Sequence, residues 1–201
     1  MKKKEGFDEQ IAYQKVIDSI GDIQEIIDSI TVKTRQLQQI TGMDFSKSDF
    51  RNSDFKGVSA CGGKFDYSNF KGSDFSDSDL TDSIFRCCDL QGVSFDDANL
   101  TGTKLTKCNL KTTSFKRSVL GNTDFNSSNL SGVNFDNQTI IGTHFDKAGL
   151  VGTSFRNAVF QNVSFRWTDA KKADFTGASM DKLTYAVLKS SKADLSNVSV
   201  I

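Results

Sequence analysis

The chain has 201 residues, enough for one domain or for a domain with an appendage. Its 25 Lys and Arg balance 25 Asp and Glu, with one His and no Pro, so bulk charge gives no sign of a nucleic-acid or acidic-substrate partner. No apolar run reaches signal or membrane-spanning length, and Cys61, Cys87, Cys88 and Cys108 lack the spacing of a disulfide scaffold or zinc site, so a soluble protein in a reducing cytoplasm is expected.

The first predicted element covers residues 8 to 40. Tyr13, Val16, Ile20, Ile23, Ile27, Ile30, Thr34 and Leu37 advance in alternating steps of three and four, and Ile11, Ile17 and Ile26 widen the stripe. An unbroken amphipathic helix here would run about 50 Å, and a break near Gly21 would give two shorter ones. Residues 1 to 41 are expected to act as a cap on the rest of the chain, as a coiled-coil assembly segment or as a docking helix. Val16, Ile20, Ile23, Ile27, Ile30 and Leu37 are its working face.

From Phe45 to Phe175 every fifth residue is apolar: sixteen Phe, eight Leu, one Ile, and Ala at 60 and 170. Two residues earlier stands a small or medium residue, with Gln138 the one large polar exception, and one residue earlier is often Asp or Asn. Side chains two apart share a face of an extended chain, so the small and the large residue point inward. A reset after five residues then demands a corner. Gly57, Gly72, Gly92 and Gly102 fall two after the large residue, where a corner can use positive φ. A chain that turns regularly becomes a coil whose layers pair like parallel strands at about 4.8 Å. Positions 55, 75, 95, 115, 135, 155 and 175 are all Phe, so four units per layer would stack like on like.

Units such as Ser73-Asp74-Phe75-Ser76-Asp77, Ala98-Asn99-Leu100-Thr101-Gly102 and Ala173-Asp174-Phe175-Thr176-Gly177 resemble the pentapeptide-repeat proteins, over about four fifths of the chain. The resemblance implies an all-β solenoid, a right-handed quadrilateral parallel β-helix over residues 42 to 201 with seven coils and room for an eighth. After Phe175 the register falters. Met180, Leu183, Val187 and Leu188 have helical spacing, so a short helical cap is expected near 179 to 192, before Ala193-Asp194-Leu195 restores the phase.

No nucleophile with its base, phosphate loop or metal-ligand spacing emerges, so neither an enzyme nor a cofactor is expected. Cys88 and Cys108 occupy inward positions twenty apart and read as structural thiols. His144 takes an outward Asp/Asn position. Trp167, beside Arg166, is either an exposed contact or a corner packed on the C-terminal helix.

Residues 42 to 100 hold eleven Asp and six Lys or Arg, and residues 101 to 201 hold seven and thirteen, which gives an acidic and a basic half. A non-catalytic protein-interaction scaffold is the first reading, with Asp66, Asp77, Asp82, Asp96, Asp97, Arg166 and Trp167 as candidate partner contacts and homo-oligomers formed through the N-terminal helix or the C-terminal cap. The family resemblance implies an alternative, DNA mimicry toward DNA gyrase or topoisomerase IV with protection from quinolones. Against it, ten Asp (44, 49, 54, 74, 79, 89, 124, 169, 174 and 194) sit at the motif position, where a turn-forming role already accounts for them. Direct nucleic-acid binding through Lys171, Lys172, Lys182, Lys189 and Lys192 is the weakest of the three readings.

Overall fold

The computed structural model describes residues 40–201. The helix expected at 8 to 40, with Val16, Ile20, Ile23, Ile27, Ile30 and Leu37, lies outside the described residues. The described chain is a solenoid in which most residues that precede a large apolar position bridge, in parallel, to the residue twenty later: Asp44 to Lys64, Asp54 to Asp74, Asp89 to Asn109, Ser154 to Asp174. Four five-residue units therefore make one coil, and the tube has four walls. The first wall is residues 43–47 and every twentieth residue on, the second 48–52, the third 53–57 and the fourth 58–62. Where pairing is most regular the fourth wall forms strands β1 (Thr139–Ile141), β2 (Val159–Gln161), β3 (Ser179–Met180) and β4 (Ser199–Val200), parallel and in that order.

Hydrogen bonding explains the period. The large residue donates to a carbonyl of the next coil, as Phe45 does to Lys64 at 2.7 Å, and so does the second residue after it, as Lys47 does to Asp66 at 2.8 Å. The small residue closes the corner by donating back to the preceding large one, as Ser73 does to Phe70 at 2.9 Å. This geometry needs positive φ at the second corner residue. Ten glycines meet it, Gly102 at 69° among them, but so do Lys47 at 61°, Tyr67 at 60°, Asp77 at 59° and Trp167 at 58°. The left-handed region costs a residue with a Cβ about 1–2 kcal/mol, and bonds to the next coil from their own N–H groups hold Lys47, Tyr67 and Asp77 there. All ten motif aspartates named above accept the N–H two residues on, for example Ser76 to Asp74 at 2.8 Å and Lys56 to Asp54 at 2.9 Å. They are corner braces.

The core is the column of large residues. On the third wall the rings at 55, 75, 95, 115, 135, 155 and 175 stack with centroids 4.6 to 5.5 Å apart. They meet the first-wall rings edge to face, as Phe75 does Phe85 at 6.0 Å, both favoured aromatic arrangements. The inward small residues are satisfied as well as buried: the hydroxyls of Thr103, Thr113 and Thr153 donate to the carbonyls of Leu80, Leu90 and Leu130 at 2.7, 2.8 and 2.9 Å. Cys88 and Cys108 are free thiols in the same role, donating to Phe65 and Phe85, and burial pushes the Cys108 thiol up.

The C-terminal cap is helix α1, Lys182–Ser190. Asp181 caps its N-terminus, accepting from the N–H groups of Leu183 and Thr184 at 2.9 Å. Thr184 and Leu188, one turn apart, are its buried residues. The apolar pattern that pointed to this helix is corrected at two positions: Met180 belongs to β3 and is wholly buried, while Leu183 is exposed. A helix lying across the end of a tube buries only a narrow stripe. It stands where the first and second walls of the eighth coil would be, so Ala193 to Val200 resume the third and fourth walls in phase and β4 pairs with β3 twenty residues on. No helix among the described residues is long and apolar enough to cross a membrane.

Candidate interaction surface

With the large residues turned inward, the outer walls carry the charge. Sorting residues by wall separates it more sharply than sorting along the axis. The first and second walls, with the stretch of α1 and its following turn that replaces them, hold fourteen Lys or Arg and seven Asp. The third and fourth hold five and eleven. The acidic and basic halves read from the sequence are the axial shadow of this division between opposite sides.

Within the acidic side, the first three coils carry Asp54, Asp74, Asp77, Asp79, Asp82, Asp96 and Asp97 against Lys56 alone. Asp77 and Asp97 occupy one corner in successive coils, both exposed. Asp77 faces Lys56 at 3.5 Å. Asp97 accepts from Arg117 Nε at 2.6 Å, and that guanidinium holds its carboxyl below the usual carboxylate range. Asp96, next to Asp97, is tied down by the Ser114 hydroxyl and by the Lys116 N–H at 3.0 Å. Asp82 lies exposed on the following corner. Further along the same side Asp174, with Thr176 and Arg156 donating to it, is lowered to about 2.

The other three candidate contacts lie across the tube, on the corner after the first wall. Asp66 is buried at 7% exposure, and Arg86 of the next coil occupies its carboxylate through the backbone N–H at 2.9 Å and Nε at 2.9 Å; it offers a partner no free carboxylate. Asp146 repeats the device with Arg166, at 2.8 and 3.2 Å, which fixes Arg166 beside Trp167. Trp167 is 75% exposed, with Lys147 Nζ 5.2 Å and the Arg166 guanidinium 5.6 Å from its ring. A cleft of about 460 Å³ runs from Trp167 to Val187, Ser190 and Ser191 of the C-terminal cap. The structure thus groups Asp77, Asp82, Asp96 and Asp97 and sets Asp66, Arg166 and Trp167 apart from them.

Two features are hidden in the linear sequence. One is the twenty-residue pairing of Asp with Arg, visible only once the coil length is known. The other is a seam at Gln138. Its amide Nε2 donates to the Phe115 carbonyl at 2.7 Å, standing in for the hydroxyl found at other inward positions, but its Oε1 is buried without a partner among the described residues. Beside this longer side chain the pairing of adjacent coils is interrupted. The repeat calls for N–H bonds from Arg117 to Asp136, Leu120 to Thr139 and Thr139 to Ser118, and none of them forms. A groove of about 790 Å³ lines this seam, between Ser114, Arg117 and Ser118 on one coil and Asn134, Asp136 and Gln138 on the next.

The wall geometry agrees with comparison against known proteins. A profile for a pentapeptide repeat region matches residues 88–156, and one for pentapeptide repeats in eight copies matches 64–97 and 140–177. Together they span more than half the sequence. The chain is a pentapeptide-repeat protein. Among solved structures it is similar to a trypsin-treated variant of QnrB1, a plasmid-mediated fluoroquinolone resistance protein, with 23% identity, 82% of this chain and 86% of that chain covered and a TM-score of 0.53. Full-length QnrB1 gives 21%, 81%, 91% and 0.39, and a pentapeptide-repeat protein of the Arabidopsis thaliana thylakoid lumen gives 27%, 50%, 67% and 0.37. No curated protein sequence matches the chain. The first likeness establishes a shared fold, the right-handed β-helix of pentapeptide-repeat proteins.

Proposed function

We propose that this pentapeptide-repeat protein is a non-catalytic scaffold that binds a basic protein surface along the acidic side of its first three coils, residues 42 to 201 being the binding rod and residues 1 to 41 a capping or assembly segment. The observation that carries this reading is the seven Asp against one Lys on that side, held on a backbone whose corners are fixed by the ladder. Fields from a rigid wall of one sign steer association and select partners more than they add raw affinity. Replacing Asp77 and Asp97 by Lys changes the wall without touching the core. Affinity capture from cell extract with the full chain is expected to lose its specific partner with D77K/D97K and to keep it with a control exchange on the opposite side, such as K71E. Equal capture by both variants would refute the reading.

The same wall supports DNA mimicry as a second reading. Three coils cover about 14 Å, over which a duplex presents about eight charges, against a net six here. The density is comparable, but the patch is less than half a duplex turn long, because Lys116 and Arg117 interrupt it in the next coil. QnrB1, the resistance protein with the same fold, makes gyrase the enzyme to test. Rising concentrations of the protein are expected to restore gyrase supercoiling in the presence of a fluoroquinolone, with D77K/D97K inactive. Supercoiling unaltered with and without the drug would exclude it.

A further inference from the structure

The two sides of the rod differ in more than net charge. All six ion pairs of the described residues close within a side: Arg51 with Asp49, Arg86 with Asp66 and Arg166 with Asp146 on the first and second walls, Lys56 with Asp77, Arg117 with Asp97 and Arg156 with Asp174 on the third and fourth. None bridges the sides. Removing these neutral pairs leaves, among the described residues, eleven lysines and four aspartates on one side, and two lysines and eight aspartates on the other. One rod thus carries +7 and −6 on opposite flanks. The corner after the second wall is the extreme case: Arg51, Lys71, Lys111, Lys171, Lys172 and Lys192 lie along it with no acidic residue.

We infer that the rods associate side by side, the lysine flank of one copy lying against the aspartate flank of the next. Three observations point to a second copy as the occupant. The flanks are opposite in sign and nearly equal in magnitude. Both place their charges on the same axial lattice, one position per coil at about 4.8 Å, so a parallel or antiparallel neighbour finds partners in register along its length. The whole chain has a formal net charge of zero, so no overall repulsion opposes the approach. The contact joins two different surfaces, so it is heterologous, and copies add in open rows instead of stopping at a pair. Exposed ion pairs are individually weak and screened by salt, so the rows form at low ionic strength and come apart as it rises. Assembly through the apolar stripe that the sequence places at residues 8 to 40 would differ in not being weakened by salt.

The test is sedimentation velocity of the full chain at 20 and 300 mM NaCl over a range of concentrations. The weight-average mass is expected to rise with concentration at low salt and to fall to that of the smallest species at high salt. K71E/K111E/K171E brings the lysine flank from +7 to +1 and D77K/D97K the aspartate flank from −6 to −2; each alone is expected to lose the low-salt growth, and an equimolar mixture of the two to form mixed pairs that stop at two copies, since each variant keeps one strongly charged flank. Circular dichroism confirms that both are folded, and the salt dependence of the unaltered chain stands as a test if either is not. A mass independent of salt, or a mixture that forms no mixed pairs at low salt, overturns the inference. So does an unaltered chain that stays at its smallest mass in low salt yet binds polyglutamate, which would assign the lysine flank to an acidic partner. The inference shares the acidic wall with the scaffold reading, and the two fail separately: specific capture by a chain that never self-associates ends this one and leaves the other standing.

Discussion

Phe95→Ala is expected to destabilise the described domain by about 3–5 kcal/mol, measured by urea denaturation followed by circular dichroism. Phe95 is wholly buried, stacked on Phe75 at 5.5 Å and on Phe115 at 5.4 Å, with an edge contact to Phe85 at 6.2 Å. Truncation removes three aromatic contacts and leaves a cavity in the middle of a column. The walls cannot collapse into it, because each is pinned by the backbone ladder above and below. Phe95→Leu is expected to cost less, about 1–2 kcal/mol, since core sites tolerate apolar exchange when most of the volume is kept and Leu105 already stands between Phe85 and Phe125 in the neighbouring column. In a solenoid each coil touches only its neighbours, so a central loss also divides the stack. A broadened unfolding transition for F95A would show this. A cost below about 1 kcal/mol, well under the range for a truncated core Phe, would mean that the ladder and not the ring column holds the coils together.

Gln138→Thr is expected to stabilise the protein by about 1–2 kcal/mol, the scale of an unsatisfied buried polar group. The threonine hydroxyl can donate to the Phe115 carbonyl as Thr143 does to Leu120 at 2.7 Å, no amide oxygen is left without a partner, and the adjacent coils are free to close. Hydrogen exchange at the amides of Arg117, Leu120 and Thr139 then slows, which separates closure of the seam from a general gain. Gln138→Ala loses the Phe115 bond and is expected to gain less. Unaltered exchange at those three amides would show that the gap does not originate with Gln138.

Phe and Leu at multiples of five make the coil legible in the sequence, because a large residue can go only inward, and the Phe column repeating every twenty residues fixes four walls per turn. The corner position is less legible. Glycine announces positive φ at ten sites, but Lys47 and Tyr67 adopt it under compulsion from bonds to the next coil, and nothing local in their sequence says so. Bulk marks Gln138 as an intruder, yet whether a long side chain would bend outward or prise the coils apart depends on a carbonyl 23 residues away. The surface is legible only after the fold is known. Asp66 and Asp77 look alike in the sequence, and the difference between a buried carboxylate under Arg86 and an exposed one is set by the residue standing twenty places later.

The ten residues from Leu183 to Lys192, the body of α1 and the turn after it, show how such a chain can change length. They occupy the span of two units, so the phase beyond them is kept and Leu195 and Val198 still pack against the core. An insertion or deletion that is not a multiple of five would turn every later Phe toward solvent, whereas multiples of five only shift which wall each unit joins. Multiples of twenty also keep each flank's sign. Growth of this protein is therefore quantised twice, once by its interior and once by its electrostatics.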